Sequence, residues 1–526
     1  MIEDTAKRLW NRIPAYCRLS MVSTFIMGLI THMFMIVNKL PNGDDLSELY
    51  HFNSMITSGR WLDIVSKGLT SYYSIPWATG LVCLILLAVS AALICNLLGI
   101  RTKSGVLAAS AVLVTFPTMA SYFSYMYYMD LYMLTLLCSV GAVYIAQKYT
   151  WGFLPGILLV ALALGNYQAY LGVTAVLALL LLVRRCLTQD TQTKQILLLA
   201  LRFALMAVLG LLLYFAILRG ALYFFAADLS DYQGIAGMGG GALSAAKLLK
   251  YTRAAYTGFL GYFFRDAFFP SPILIKTLYA VLLVLSLLWL AVAAVRRMRE
   301  EIWQEGLGKT LLWILFVALL PVAYNLIYYM APDAFLHSLM QPQYALFWLM
   351  PLMARELAYP AAIQLPKRFQ TVSQWVMILA TAAIVYFSFL HVNISYLHLH
   401  LKYEITYATE LRILDRIEAL PDYRPDTPVC VLGAFPNDYV SLYPYHTQDL
   451  VSGLVGINGN LVHHYYNYNG FFKNYLGRQL NLIRDDDPYK IVVAGWAEVR
   501  AMPLWPKEGA VAMVRGVVVI KINEMQ

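Results

Sequence analysis

Charge is scarce in this chain. Asp, Glu, Lys and Arg supply 13% of its 526 residues, against about a quarter in soluble domains, and a water-soluble globule of this length needs a far more polar surface. Cysteine is sparse and scattered: Cys17, Cys83, Cys95, Cys138, Cys186 and Cys430 include no CxxC pair, which argues against a disulfide framework or a zinc site. Residues 1–19 carry Arg8, Arg12 and Arg18 and run into a long apolar stretch without a small-residue cleavage site, so the first span is expected to stay as an anchor. The run Gly237-Met238-Gly239-Gly240-Gly241 lacks the Gly-Lys-Ser/Thr ending of a phosphate loop, which excludes ATP binding there. No repeat with a period of about 20–50 residues and no low-complexity linker is visible.

Apolar residues are abundant instead, at 60%. They gather into runs of about 18–22, the length that crosses a hydrocarbon core of roughly 30 Å. Leu-rich runs of this length favour helices over a membrane β-barrel, whose strands alternate residue by residue. The chain therefore reads as an α-helical polytopic membrane protein with about eleven transmembrane helices. They fall near 20–38, 79–99, 104–120, 131–147, 152–166, 169–183, 203–225, 273–295, 310–330, 343–359 and 373–391. The fifth and sixth are short and meet at Gly165-Asn166-Tyr167-Gln168, which fits tilted or re-entrant segments.

The net charge of +9 raises nucleic acid or a membrane surface as partners. The basic residues sit in short loops between apolar runs, so the positive-inside rule accounts for them, with membrane lipid as the partner and no nucleic acid. Lys7, Arg8, Arg12 and Arg18 place the N-terminus in the cytoplasm, and an odd number of spans places the C-terminal part outside. The expected outside loops are 39–78, 121–130, 226–272 and 331–342. Lys39, Arg60 and Lys67 in the first, and Lys250, Arg253 and Arg265 in the third, are basic residues the charge rule does not require.

Residues 1–391 form the expected membrane domain and 392–526 a soluble α/β domain of about 130 residues. Leu401, Ile405, Ala408, Leu411, Leu414 and Ile417 recur at helical spacing until Pro421. Val429–Leu432, Ile491–Ala494 and Val517–Ile520 read as buried strands.

The first outside loop carries the densest chemistry, Asn38-Lys39-Leu40-Pro41-Asn42-Gly43-Asp44-Asp45 and then Ser58-Gly59-Arg60-Trp61. Pro, Asn and Gly predict a sharp turn that holds Asp44 and Asp45 just above the membrane. A carboxylate there can take a proton from a hydroxyl nucleophile, or hold a divalent cation such as Mg or Mn if one is required. The plainer alternative is a turn plus a helix N-cap, and both hold if one Asp caps and the other reacts. Arg60 is either a phosphate ligand or part of an interfacial belt. Tyr125, Tyr128 and Asp130 suit sugar stacking and hydroxyl binding, or membrane anchoring. Tyr167 and Gln168, with Asn166, and Gln341 with Gln343 suit a cavity lining or helix–helix hydrogen bonds. Lys250, Arg253 and Arg265 suit a lipid-linked phosphate or lipid headgroups. His463-His464 lacks a third ligand at metal spacing and reads as packing.

Asn38–Asp45 followed by Ser58–Trp61 resembles the type II Gtr family of bacterial O-antigen glucosyltransferases, of the polytopic GT-C class. Tyr167-Gln168-Ala169, the helix 402–420 and the strand 428–433 support the likeness in the expected order, and it covers essentially the whole chain. The resemblance implies a glucosyl donor carried on undecaprenyl phosphate and a hydroxyl of a surface glycan as acceptor. It further implies the outer face of the bacterial cytoplasmic membrane, a first-loop Asp as base at Asp44 or Asp45, and inversion at the anomeric carbon. Asn42 falls inside the same motif and is expected to bind substrate. A flippase for a lipid-linked sugar would also use the spans and basic loops, but leaves the Asp pair unused and predicts repeated halves. A binding protein with a glycan-binding tail is the third reading, and it predicts that both Asp can be replaced without loss of transfer.

Overall fold

The computed structural model describes residues 2–50, 55–70, 72–188, 191–230, 244–265, 272–300, 303–331, 336–358, 366–436 and 450–524. The glycine run 237–241 and position 359 lie outside them. Thirteen helices concern the bundle: α1 (Ala15–Val37), α2 (Pro76–Leu98), α3 (Lys103–Thr115), α4 (Thr118–Ser124), α5 (Met129–Lys148), α6 (Phe153–Asn166), α7 (Leu171–Cys186), α8 (Thr193–Phe224), α9 (Ala245–Phe264), α10 (Ile273–Glu300), α11 (Trp303–Tyr324), α12 (Met350–Ala358) and α13 (Lys367–Glu418). Apolar segments that leave water must close their own backbone hydrogen bonds, and a helix does so within one segment. Eight are long and apolar enough to cross a membrane, α1, α2, α5, α7, α8, α10, α11 and α13, or nine spans if one bent pair counts.

The remaining three of the eleven expected spans take other forms. Residues 104–120 are the pair α3/α4, bent by 55°. Pro117 causes the bend by pushing Phe116 out of helical conformation, to φ −53, ψ 128. Residues 152–166 are α6, only 14 residues long. Residues 343–359 open as a 3-10 helix, Pro342–Leu349, of 8 residues before the 9 of α12. A 3-10 helix advances about 2.0 Å per residue, so this segment measures about 30 Å in all.

The connections gather at two ends of the bundle. At one, Asn42 Nδ2 donates to Ser124 O (3.0 Å), Tyr128 OH to Asn166 O (2.9 Å) and Gln168 Nε2 to Ser58 O (2.9 Å), and the hydroxyls of Ser121 and Ser338 share a hydrogen bond (2.9 Å). The first loop, the 121–130 segment, the α6–α7 break and the 336–341 segment therefore meet. At the other end, Arg184 reaches Leu97 O (3.2 Å), Arg202 reaches Thr150 O (2.7 Å), and Arg355 reaches Ser104 Oγ (3.2 Å). Arg184, Arg202 and Arg355 therefore share that end.

Helix α13 has 52 residues, about 78 Å at 1.5 Å per residue, more than twice a hydrocarbon core. It runs unbroken through the expected domain boundary at 391/392 and packs against the C-terminal part. There β1 (Pro428–Leu432), α14 (Tyr465–Asn474), β2 (Asn481–Leu482), α15 (Pro488–Gly495), β3 (Val511–Val514) and β4 (Val517–Lys521) form a sheet of order β2-β1-β4-β3 with flanking helices. β1 is parallel to β2 and β4, and β3 is antiparallel to β4. Two expected strands stand as β1 and β4. The third, Ile491–Ala494, is corrected to helix α15. Asp487 caps it, accepting from Tyr489 N, and Pro488 opens it, a start signal that outweighs a short β-branched run. Val493 is buried while Ile491 and Val492 are exposed, a one-sided burial no central strand would show. One apolar core runs from the bundle through Leu46 and Phe471 to Ile417 and Val518.

Candidate functional site

The first-loop turn closes on itself. Asn42 Oδ1 accepts from the backbone N–H of Asp44 (2.8 Å) and of Asp45 (3.0 Å), and Asp45 Oδ2 accepts from Asn42 N (3.1 Å). This reciprocal cap opens the 3-10 turn Asp44–Leu46. Asp45 Oδ1 accepts from Tyr127 N (3.1 Å), and Met126 N is a further backbone partner. Asp45 is fully buried, and burial pushes its carboxyl up to about 8, against the backbone hydrogen bonds that favour the charged form. Asp44, by contrast, is solvent-accessible. The protein mass around it raises its pKa, while the charges of Arg60 and His464 hold it down.

The turn is clamped from the C-terminal part. Asn467 Nδ2 donates to Gly43 O (2.8 Å), Asn474 Nδ2 to Leu46 O (2.7 Å), and Ser47 Oγ to Tyr466 O (2.9 Å). A Cβ at Gly470 would stand 2.7 Å from the Leu46 backbone, so α14 lies directly on the Asp44–Leu46 turn.

Arg60 stands over the rings of Tyr167 (4.7 Å) and Tyr128 (5.3 Å), and its Nη1 donates to the Met55 sulfur, a weak acceptor, at 3.3 Å. Among the described residues it has no carboxylate ion pair, and its Nε has no hydrogen-bond partner. Gly59 makes this placement: at φ +74 it takes a left-handed turn, and a Cβ there would meet Gln168 Nε2 and Tyr214 OH at 2.6 Å. His337 Nδ1 and Asn166 Nδ2 are also buried without a partner. Burial pushes the His337 imidazole down to about 4, with the Arg60 charge adding to it. Buried unpaired groups cost about 1–3 kcal/mol each, so their gathering around Arg60 marks a place built for a ligand.

Behind Arg60 lies a charge cluster of Lys67, Asp63 and Asp130, and of the three only Asp130 was an expected site residue. Lys67 is buried over Tyr127 (4.6 Å) and Tyr128 (4.9 Å), and burial lowers it to about 7 although Asp63 and Asp130 pull it up. Asp63 accepts from Met55 N (2.9 Å). The signal was present in the four-residue spacing of Asp63 and Lys67 in an otherwise apolar stretch.

The other expected site residues divide. Asn42, Tyr128, Tyr167 and Asp130 join the Asp44–Arg60 neighbourhood as buried supports rather than open sugar platforms. Tyr125 is buried and packs where a Cβ at Gly456 would stand 2.7 Å from its ring. Gln168 holds Ser58 and Tyr214, and Gln343 Nε2 donates to Tyr324 O (2.7 Å). Gln341 is buried with Oε1 unpaired. Lys250, Arg253 and Arg265 are exposed on or beside α9 and make no ion pair with a described carboxylate. Among the described residues no three His, Cys, Asp or Glu side chains could hold a metal together. Asp45 spends its oxygens on backbone N–H groups, so a divalent ion would find Asp44 the available carboxylate.

Fold and site define a polytopic helical membrane protein with an accessible carboxylate, and an arginine without a carboxylate ion pair among the described residues, at one end of its bundle. The chain belongs to the GtrII glucosyl transferase family, whose model matches residues 33–354. That range takes in the Asp44 turn, Arg60 and the tyrosine cage, and places the protein among glucosyltransferases. No curated protein and no solved structure matches the chain.

Proposed function

We propose that the protein moves glucose from a polyprenyl phosphate, such as undecaprenyl phosphate, to a hydroxyl of a cell-envelope glycan at the outer face of the bacterial cytoplasmic membrane. The observation that carries this reading is the pairing of an accessible Asp44 with an Arg60 that has no carboxylate partner among the described residues. Asp44 is the base and Arg60 the phosphate ligand. The acceptor oxygen attacks the anomeric carbon as the bond from that carbon to the phosphate oxygen breaks. The acceptor proton passes to Asp44, and the departing phosphate gains a negative charge that Arg60 meets in a site of low dielectric. Attack opposite the leaving group inverts the anomeric centre. The long apolar spans keep the prenyl tail in lipid while the glucosyl group reaches the bundle end where the C-terminal residues form the soluble, extracytoplasmic side.

Purified protein given undecaprenyl-phosphate glucose and extracted envelope glycan should transfer glucose. Asp44→Asn should lose about 10²–10⁴-fold in kcat with lipid binding retained. Transfer undiminished in Asp44→Asn, or lipid-linked glucose crossing a vesicle bilayer without transfer, would overturn the reading.

A further inference from the structure

The parallel part of the C-terminal sheet opens a second crevice. Gly433 follows β1, Asp485 follows β2 by three residues, and Asn523 and Glu524 follow β4. All of them line one cavity of about 470 Å³, within the roughly 300–1,000 Å³ of small-molecule pockets. Open α/β sheets place ligands outside the carboxyl ends of parallel strands, where neighbouring connections diverge, and β1 between β2 and β4 is such a place. Gly433, at φ +79, lets its turn approach the Asn523 backbone, which a Cβ would meet at 2.6 Å.

The chemistry of the lining selects the ligand. Each carboxylate already has an ammonium: Asp485 with Lys490 at 2.7 Å, and Glu524 with Lys521 at 3.1 Å. The crevice thus holds fixed acceptors and donors with little net charge. That suits the paired hydroxyls of a neutral sugar and gives a phosphate anion no uncompensated cation. The exposed side chain of Ile491 supplies an apolar edge for the C–H face of a ring. The crevice also adjoins the proposed base. His463 lines it, and the next residue, His464, lies 3.8 Å from Asp485 and caps α14, whose Asn467 Nδ2 donates to the carbonyl of Gly43, the residue before Asp44, at 2.8 Å.

We infer that this crevice is a saccharide-binding site for neutral sugar units and, resting on the glucosyl-transfer reading, that it seats the acceptor glycan beside Asp44. The test is calorimetric binding of the full-length protein in detergent to the water-soluble polysaccharide released from the envelope of cells that make it, with no donor present. Wild type should bind. The Asn523→Ala/Glu524→Gln variant should lose at least tenfold in affinity while keeping its melting temperature and its binding of undecaprenyl phosphate. Ile491→Asp, on an exposed position, should do the same. Unchanged affinity in both crevice variants, no binding by wild type, or displacement of the polysaccharide by inorganic phosphate overturns the inference. Binding by wild type with no glucose transferred from a polyprenyl phosphate fails the glucosyl-transfer reading and leaves the saccharide site standing.

Discussion

Two adjacent aspartates have opposite fates because the turn can satisfy only one of them. Asp45 closes the cap with Asn42 and takes Tyr127 N, whereas the Asp44 residue stays solvent-accessible. An Asn at 45 would turn an N–H toward a backbone N–H and leave a buried donor unpaired. Asp45→Asn should therefore cost about 1–3 kcal/mol of stability, read as a lower melting temperature in detergent. Asp44→Asn should leave the melting temperature unchanged while lowering kcat by about 10²–10⁴-fold. Asp44 also predicts a pH profile. A base must be deprotonated to work, so activity should fall on the acid side with a midpoint above the ordinary 3.8. Arg60 holds that pKa down, so Arg60→Gln should move the acid limb to higher pH as well as lowering kcat by about 10²–10³-fold. A limb that stays in place in Arg60→Gln would separate the two groups.

At the scale of elements, the first loop works as a rigid insert. Ser58-Gly59-Arg60-Trp61 is pinned by Gln168 from the α6–α7 break and Tyr214 from α8, and Leu62 N donates to Gly165 O at 3.0 Å. Gly59→Ala combines a left-handed backbone cost of about 1–2 kcal/mol with a contact of 2.6 Å. It should raise the donor KM and reduce kcat together by displacing Arg60. Normal kinetics in Gly59→Ala would mean that Arg60 is not held by this turn. The bent pair α3/α4 matters for the same reason. Without the bend at Pro117, Ser124 O would not turn back to receive Asn42.

At the scale of the molecule, one continuous core joins the bundle to the sheet, and a buried acid sits where they meet. Glu410 lies in the half of α13 that packs on the C-terminal part, beyond its membrane-length half, and burial pushes its carboxyl from 4.5 to about 8. As pH rises through that window the unfolded chain releases the proton while the folded chain keeps it, so stability falls between about 4.5 and 8. Glu410→Gln should melt a few degrees higher at pH 8, with the gain fading toward pH 4.5. A gain that grows toward acid pH would contradict the sign.

Apolar run length and loop charge made the membrane bundle legible from the sequence, because the need to close backbone hydrogen bonds in lipid acts locally on each segment. The Asn42–Asp45 turn and the prospect of one capping and one reacting Asp were legible for the same reason. Local signals also existed for α15 in Asp487-Pro488, but a short β-branched run hid them. Other features had no local signature. The choice between Asp44 and Asp45 depends on Tyr127, 82 positions away. The choice of Arg60 over Lys250, Arg253 and Arg265 depends on tyrosines from α5 and the α6–α7 break. The crevice at the strand ends depends on three strands that lie up to about 90 residues apart and become neighbours only in the sheet. Sequence by itself determined that the chain is built around long apolar helices, eight of them of membrane-crossing length, and which polar groups its loops carry. Tertiary structure decided which of those groups are buried and spent on backbone hydrogen bonds and which are left for a ligand, because that depends on partners brought from distant parts of the chain.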